Sequence, residues 1–144
     1  MDQIFPYANI IVGVLVIIIG FIFHWIGQLI SLLDWDYATK IGLQEKGLPP
    51  EYKTYEHGIA VADVAIGWIY GIAGAGLIFN THWGHQLVWI PGVVLLYHSI
   101  SFWFWTGNQK KSGHQLRPDS LRVVWFVANL VTGVLAILVA WNAG

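Results

Sequence analysis

The chain has no cysteine. That excludes disulfides, thiolate nucleophiles and thiolate metal sites, and leaves the redox compartment unspecified. Charge is scarce as well. Only 10% of the 144 residues are Asp, Glu, Lys or Arg, against about 25% in a soluble globular domain. The net charge of −1 offers no basic surface for nucleic acid. The few charges are segregated: none lies between Asp2 and Asp34, between Asp63 and Lys110, or after Arg122. Uncharged apolar stretches of that length fit a bilayer, not a soluble core. The opening "MDQIFPYANI" lacks a basic n-region and a cleavage site, so the first apolar stretch reads as a retained span.

What is present is 56% hydrophobic residues, with nine Trp. A hydrocarbon core about 30 Å thick needs roughly 20 apolar residues as helix. Four stretches qualify: residues 8–33, 57–79, 86–106 and 121–141. The expected fold is all-α: an integral membrane four-helix bundle with up-down topology, in a single domain covering 1–144. Asp119 or Ser120 is the expected N-cap of the fourth span. All seven basic residues fall in or beside loops 34–56 and 107–120, as Lys40, Lys46, Lys53, Lys110, Lys111, Arg117 and Arg122. The positive-inside rule places these loops in the cytoplasm and both termini outside, with the cell membrane as the expected location. Trp35, Trp83, Trp103, Trp105 and Trp141 fall near span ends, as an aromatic belt requires. In loop 34–56, Asp36 is the expected cap of a short helix from Tyr37 to Lys46, ended by Gly47. Pro49 and Pro50 then break the chain before the second span. Tyr37, Ile41 and Leu43 would rest on the headgroups.

Each span carries one strongly polar residue. At 1.5 Å per residue, His24, Asp63, His98 and Asn129 lie about 14, 9, 12 and 12 Å from the cytoplasmic ends of their spans. A central charge costs roughly 2.5–3.5 kcal/mol on insertion scales, so Asp63 demands partners. Helical periodicity supplies a face for each. His24 shares a stripe with Gly13, Gly20, Gly27, Gln28 and Ser31. Asp63 shares one with Ala60, Gly67, Tyr70 and Gly74, and Asn129 one with Gly133, Ala136 and Ala140. Such small-residue stripes let helices approach closely. His98 aligns with Pro91, Val94 and Trp105 and has no small stripe.

Two imidazoles and a carboxylate are ligand types of zinc and non-haem iron. His24, Asp63 and His98 are therefore candidate metal ligands, with Asn129 or Gln28 as an oxygen donor or outer partner, and Tyr97 and Ser101 nearby. His24 and His98 could alternatively be axial ligands of a b-type haem. Gly20 and Gly27 would then make room for the macrocycle, with Trp25, Tyr97, Phe102 and Trp103 as aromatic walls. A proton or solute pathway in an oligomer is a further reading, with His57 at the inner port and His82 and His85 at the outer mouth. The loop histidines read more simply as solvated groups. An accessory subunit of a larger membrane complex, or a homo-oligomer, is the non-catalytic reading. The plainest alternative is that polar residues between helices act only as packing glue. HExxH, EF-hand and CxxCH signatures are absent. "GIAGAG" (Gly71–Gly76) lacks the Lys-Ser/Thr of a phosphate loop and reads as close helix packing. Asp63 in a Gly/Ala-rich second span, followed by a short Trp-Gly loop, is similar to small DoxX-like four-span proteins. That likeness covers one helix and a turn and carries no function.

Overall fold

The computed structural model describes residues 4–114 and 118–142. Among them every regular element is helical: α1 (Ala8–Leu33), α2 (Trp35–Lys40), α3 (Pro50–Ile66), α4 (Trp68–Ile78), α5 (His82–Lys111) and α6 (Asp119–Asn142). Three of these, α1, α5 and α6, are long and apolar enough to cross a membrane. At 26, 30 and 24 residues they run to about 39, 45 and 36 Å. The bent pair α3–α4 makes a fourth if counted as one span.

Residue size is distributed as a bilayer demands. Large apolar side chains face outward: Ile11, Ile18 and Phe23 on α1, Val93, Ile100 and Phe104 on α5, Val124, Val131 and Leu138 on α6. Small ones face inward, because lipid tails give no hydrophobic drive for helices to associate and close backbone packing must supply it. A Cβ on Gly13 would stand 2.7 Å from the Gly74 carbonyl, and one on Gly74 2.6 Å from Ile17. This locks α1 to α4. Gly92 and Gly133 do the same for α5 and α6: a Cβ on Gly133 would stand 2.9 Å from the Gly92 carbonyl. In "GIAGAG", a Cβ on Gly76 would stand 2.6 Å from Gly84 Cα, so the glycines serve close packing.

Two departures from ideal helix shape the interior. Residues Val16–Ile26 of α1 are π-helical, with i→i+5 hydrogen bonds. The wider turn holds Val16, Gly20 and His24, spaced by four, on one buried line. Between α3 and α4 the chain bends by 41° at Gly67. No side chain fits there: a Cβ would meet the Asp63 carbonyl at 2.6 Å and Trp25 at 2.7 Å. The Trp25 indole donates to the Val64 carbonyl and the Trp68 indole to that of Ala65, each at 3.0 Å. Carbonyls at the bend thus find side-chain donors.

The connecting segments differ from expectation in three places. The helix containing the start of the second span begins at Pro50, not His57, since proline is well placed in a first turn. The short loop helix is Trp35–Lys40, capped by Asp34, whose carboxylate accepts the Tyr37 N–H at 2.9 Å. Asp34 has the extended backbone a cap needs, whereas Asp36 already lies in the first turn. The helix stops before Gly42, which takes a φ of +83°. Tyr37 and Ile41 are exposed as expected, but Leu43 packs over Gly27. Asp119 does not act as a cap. It is the first residue of α6, and its carboxylate turns to Lys110 and Arg122. Arg122 in turn lies over the Trp103 ring at 3.9 Å and donates to the Thr106 hydroxyl at 2.6 Å. Arg117 lies outside the described residues.

Gly74→Leu and Gly133→Leu are each expected to lower stability by about 1–3 kcal/mol through overpacking, read as thermal unfolding in detergent. Gly58, whose Cβ would meet nothing within 4 Å, is the control: Gly58→Ala should be neutral or stabilising by about 0.5–1 kcal/mol.

Candidate metal centre

Four elements each contribute one residue to the polar layer. The π-helical part of α1 presents His24, and α3 presents Asp63 one turn before the bend. His98 comes from the middle of α5, and Asn129 from α6, where it is fully buried. Asp63 is 8% and His24 6% exposed. One donor atom each from His24, Asp63 and His98 lies within 4.8 Å of the other two. Asp63 Oδ1 is 3.2 Å from His98 Nε2, and the two imidazole rings are 4.6 Å apart between centroids.

The hydrogen bonds determine which nitrogen of His24 is free. Asn129 Nδ2 donates to the Trp125 carbonyl at 2.7 Å, so its Oδ1 is the atom that faces His24. That oxygen can only accept, so His24 Nε2, at 2.6 Å, carries the proton and donates. His24 Nδ1 is left with a lone pair. A histidine whose other ring nitrogen donates to a fixed acceptor is the usual arrangement at a metal. The Trp125 and Tyr70 rings lie 5.0 and 6.2 Å from the His24 ring.

The donor set fits a small ion better than a macrocycle. Bonds of about 2.0–2.1 Å in a tetrahedral zinc site set donor atoms about 3.3 Å apart, so donors within 4.8 Å close on an ion by side-chain rotation of an ångström or so. A haem would have to pass between two imidazoles already in contact at 4.6 Å. The space expected beside Gly20 is filled by Tyr70, since a Cβ there would collide with the Tyr70 ring, 2.6 Å from its Cγ. Gly27 faces Leu43. The aromatic walls also fall elsewhere. Trp25 stacks on Phe21 and bonds the α3 backbone, and Trp103 packs on Arg122 and Phe126.

Of three other residues expected near the site, Gln28 and Ser101 turn to other partners, and Tyr97 borders it from the outside. Gln28 lies one turn closer to loop 34–49, where its Oε1 accepts from Gln44 at 3.4 Å. Gln44 also donates to the buried Ser31 hydroxyl at 2.9 Å. Tyr97 is 66% exposed, yet its ring stands edge-on to that of His98 at 5.9 Å between centroids. Ser101 turns its hydroxyl back to the Tyr97 carbonyl at 2.7 Å, the local bond that serines readily make in helices. Of the histidines read as loop groups, His57 and His82 are exposed. His85 is buried and bonded to Asn80 Oδ1 at 3.0 Å.

Sequence reasoning did not assign Tyr70 or Trp125 to the site. Trp125 was legible in principle, being four residues before Asn129 on the same α6 stripe. Tyr70 was placed on the Asp63 face but not brought to the site, because a ring's reach across a helix pair depends on Gly20 opposite. Comparison with protein-family models, curated proteins and solved structures found no match. The likeness to DoxX-like proteins therefore receives no support.

Asn129→Leu leaves the His24 N–H without its acceptor. It is expected to destabilise by about 1–3 kcal/mol, measured as detergent-phase melting. Trp25→Phe, which removes the donor to Val64, should show a loss in the same range.

Proposed function

We propose that this chain is a multi-pass membrane protein, a four-helix bundle with α3–α4 as one bent span, that binds a divalent transition-metal ion through His24, Asp63 and His98. The observation that carries the reading is the convergence of these three side chains, from three different helices, to within 4.8 Å at one level. The cluster is almost wholly buried. A dication there supplies the positive charge that a carboxylate inside the membrane otherwise lacks. Two imidazoles and one carboxylate with open positions are the donor set of non-haem iron(II), and three protein donors with a fourth position free are that of zinc at reactive sites. Asn129 holds His24 in the tautomer that leaves Nδ1 free to ligate, and the Trp125 carbonyl holds Asn129.

A through-membrane proton pathway is less well supported. Val12, Val16, Leu77, Val88 and Leu95 are fully buried and form a dry layer on the side of the cluster toward His85. The orientation with loops 34–56 and 107–120 in the cytoplasm and both termini outside rests on the basic residues alone.

Purified protein is expected to hold about one equivalent of zinc or iron(II) per chain by elemental analysis after equilibrium loading. His24→Ala, Asp63→Ala and His98→Ala should each abolish tight binding. Asn129→Ala should weaken affinity 10–100-fold, the usual effect of losing an outer-shell partner. Unchanged metal content in all three ligand variants would remove the reading. The absence of native cysteine allows a clean orientation test: a cysteine at Gly47 should label only from the cytoplasmic side, and one at Trp83 only from the outside. The reverse pattern would invert the topology.

A further inference from the structure

Two buried oxygens beside the cluster have no hydrogen-bond partner among the described residues: Asp63 Oδ2 and the Tyr70 hydroxyl. Both residues are more than nine-tenths buried. Inside a membrane, water is not at hand to satisfy them, and a buried polar atom without a partner is a rarity that calls for a group to pair with it. Asp63 and Tyr70 share one face of the bent span, two turns apart. Long side chains on a helix lean toward its N-terminus, so the Tyr70 hydroxyl leans back toward the level of Asp63. The ring is held in that attitude from one side by Gly20, where any side chain would collide with it. It is near-parallel to His24, at an interplanar angle of 28°.

Resting on the metal reading above, we infer that the ion's remaining coordination position is exchangeable and takes a small anionic or oxygen-donor ligand, framed by the Tyr70 hydroxyl as hydrogen-bond donor and by Asp63 Oδ2. With one nitrogen from each histidine and Asp63 Oδ1 as ligands, Oδ2 would remain to accept a hydrogen bond from a metal-bound water. The phenol supplies the complementary donor, which favours a ligand with a lone pair directed away from the metal. Ring contacts on the other sides, His98 at 4.6 Å and Trp125 at 5.0 Å from His24, restrict the ligand to a few atoms. Tyr70 is thus a positioning residue for the exogenous ligand and not a metal ligand.

The test uses full-length protein in detergent loaded with Co(II), whose visible d–d spectrum reports its coordination, and azide as the small anion. Azide is expected to shift the spectrum saturably in the wild type. Tyr70→Phe keeps the ring on Gly20 and should leave Co(II) affinity within about twofold, while weakening azide about tenfold, as loss of a hydrogen bond to a charged group does. A wild-type spectrum unmoved by 100 mM azide, on the order of the weakest useful anion affinities, would show the coordination closed and overturn the inference. Equal azide affinity in Tyr70→Phe would overturn the part assigned to Tyr70. Failure of Co(II) to bind at all would instead remove the metal reading itself. Should Tyr70→Phe not fold, the wild-type azide titration still decides whether the position is exchangeable.

Discussion

Hydrocarbon offers no hydrogen bonds, so every polar group carried into it must be answered by another part of the same protein. The arrangement of these long apolar helices fits that constraint. Asp63, His24, His98 and Asn129 each sit on a different helix, and each takes a partner from another. These pairs form only because the four are brought to one level: Asp63 Oδ1 with His98 at 3.2 Å, and His24 with Asn129 at 2.6 Å. Even the Asn129 amide is spoken for, by the carbonyl of Trp125. The glycine contacts that draw the helices together are the condition for these bonds, since side chains of this length reach across only where backbones nearly touch.

The same constraint governs the two irregular segments. A bend in a membrane helix exposes carbonyls, and here indoles from Trp25 and Trp68 answer them. Trp25 lies next to His24, and Asp63 lies one turn before the bend. The donor that stabilises the bend and two of the three candidate ligands, His24 and Asp63, are therefore set by the same pair of helices. The π-helical stretch acts on the other partner, keeping His24 in line with Gly20 and Val16 against the bent span. Deformed helix is used where the polar side chains have to meet, a frequent association of π segments with functional sites.

Much of this was legible in the sequence. The gaps between charges reveal the spans, because length and apolarity alone decide whether a helix can cross a bilayer. Counting residues inward put the four polar groups in one slab, and the small-residue stripes pointed three of them inward. What could not be read was anything fixed by a second helix. Gly20 and Gly27 looked alike as spaces beside His24, yet Tyr70 fills one and Leu43 covers the other. Gln28 matched the stripe but met Gln44 from the loop. Trp25 and Trp103 looked like walls for a cofactor and instead serve a backbone carbonyl and an arginine. Asp34 and Asp36 are equivalent as capping residues, and only the backbone turn at the end of α1 chooses between them.

The proposed function requires a metal ion held by two imidazoles and a carboxylate between the helices. X-ray absorption at the zinc edge of loaded, detergent-solubilised protein tests this most directly. The expected result is a shell of nitrogen and oxygen donors at about 2.0–2.1 Å, with the outer-ring scattering of two histidines. A spectrum showing only hydrated ion, or no imidazole scattering, would contradict it.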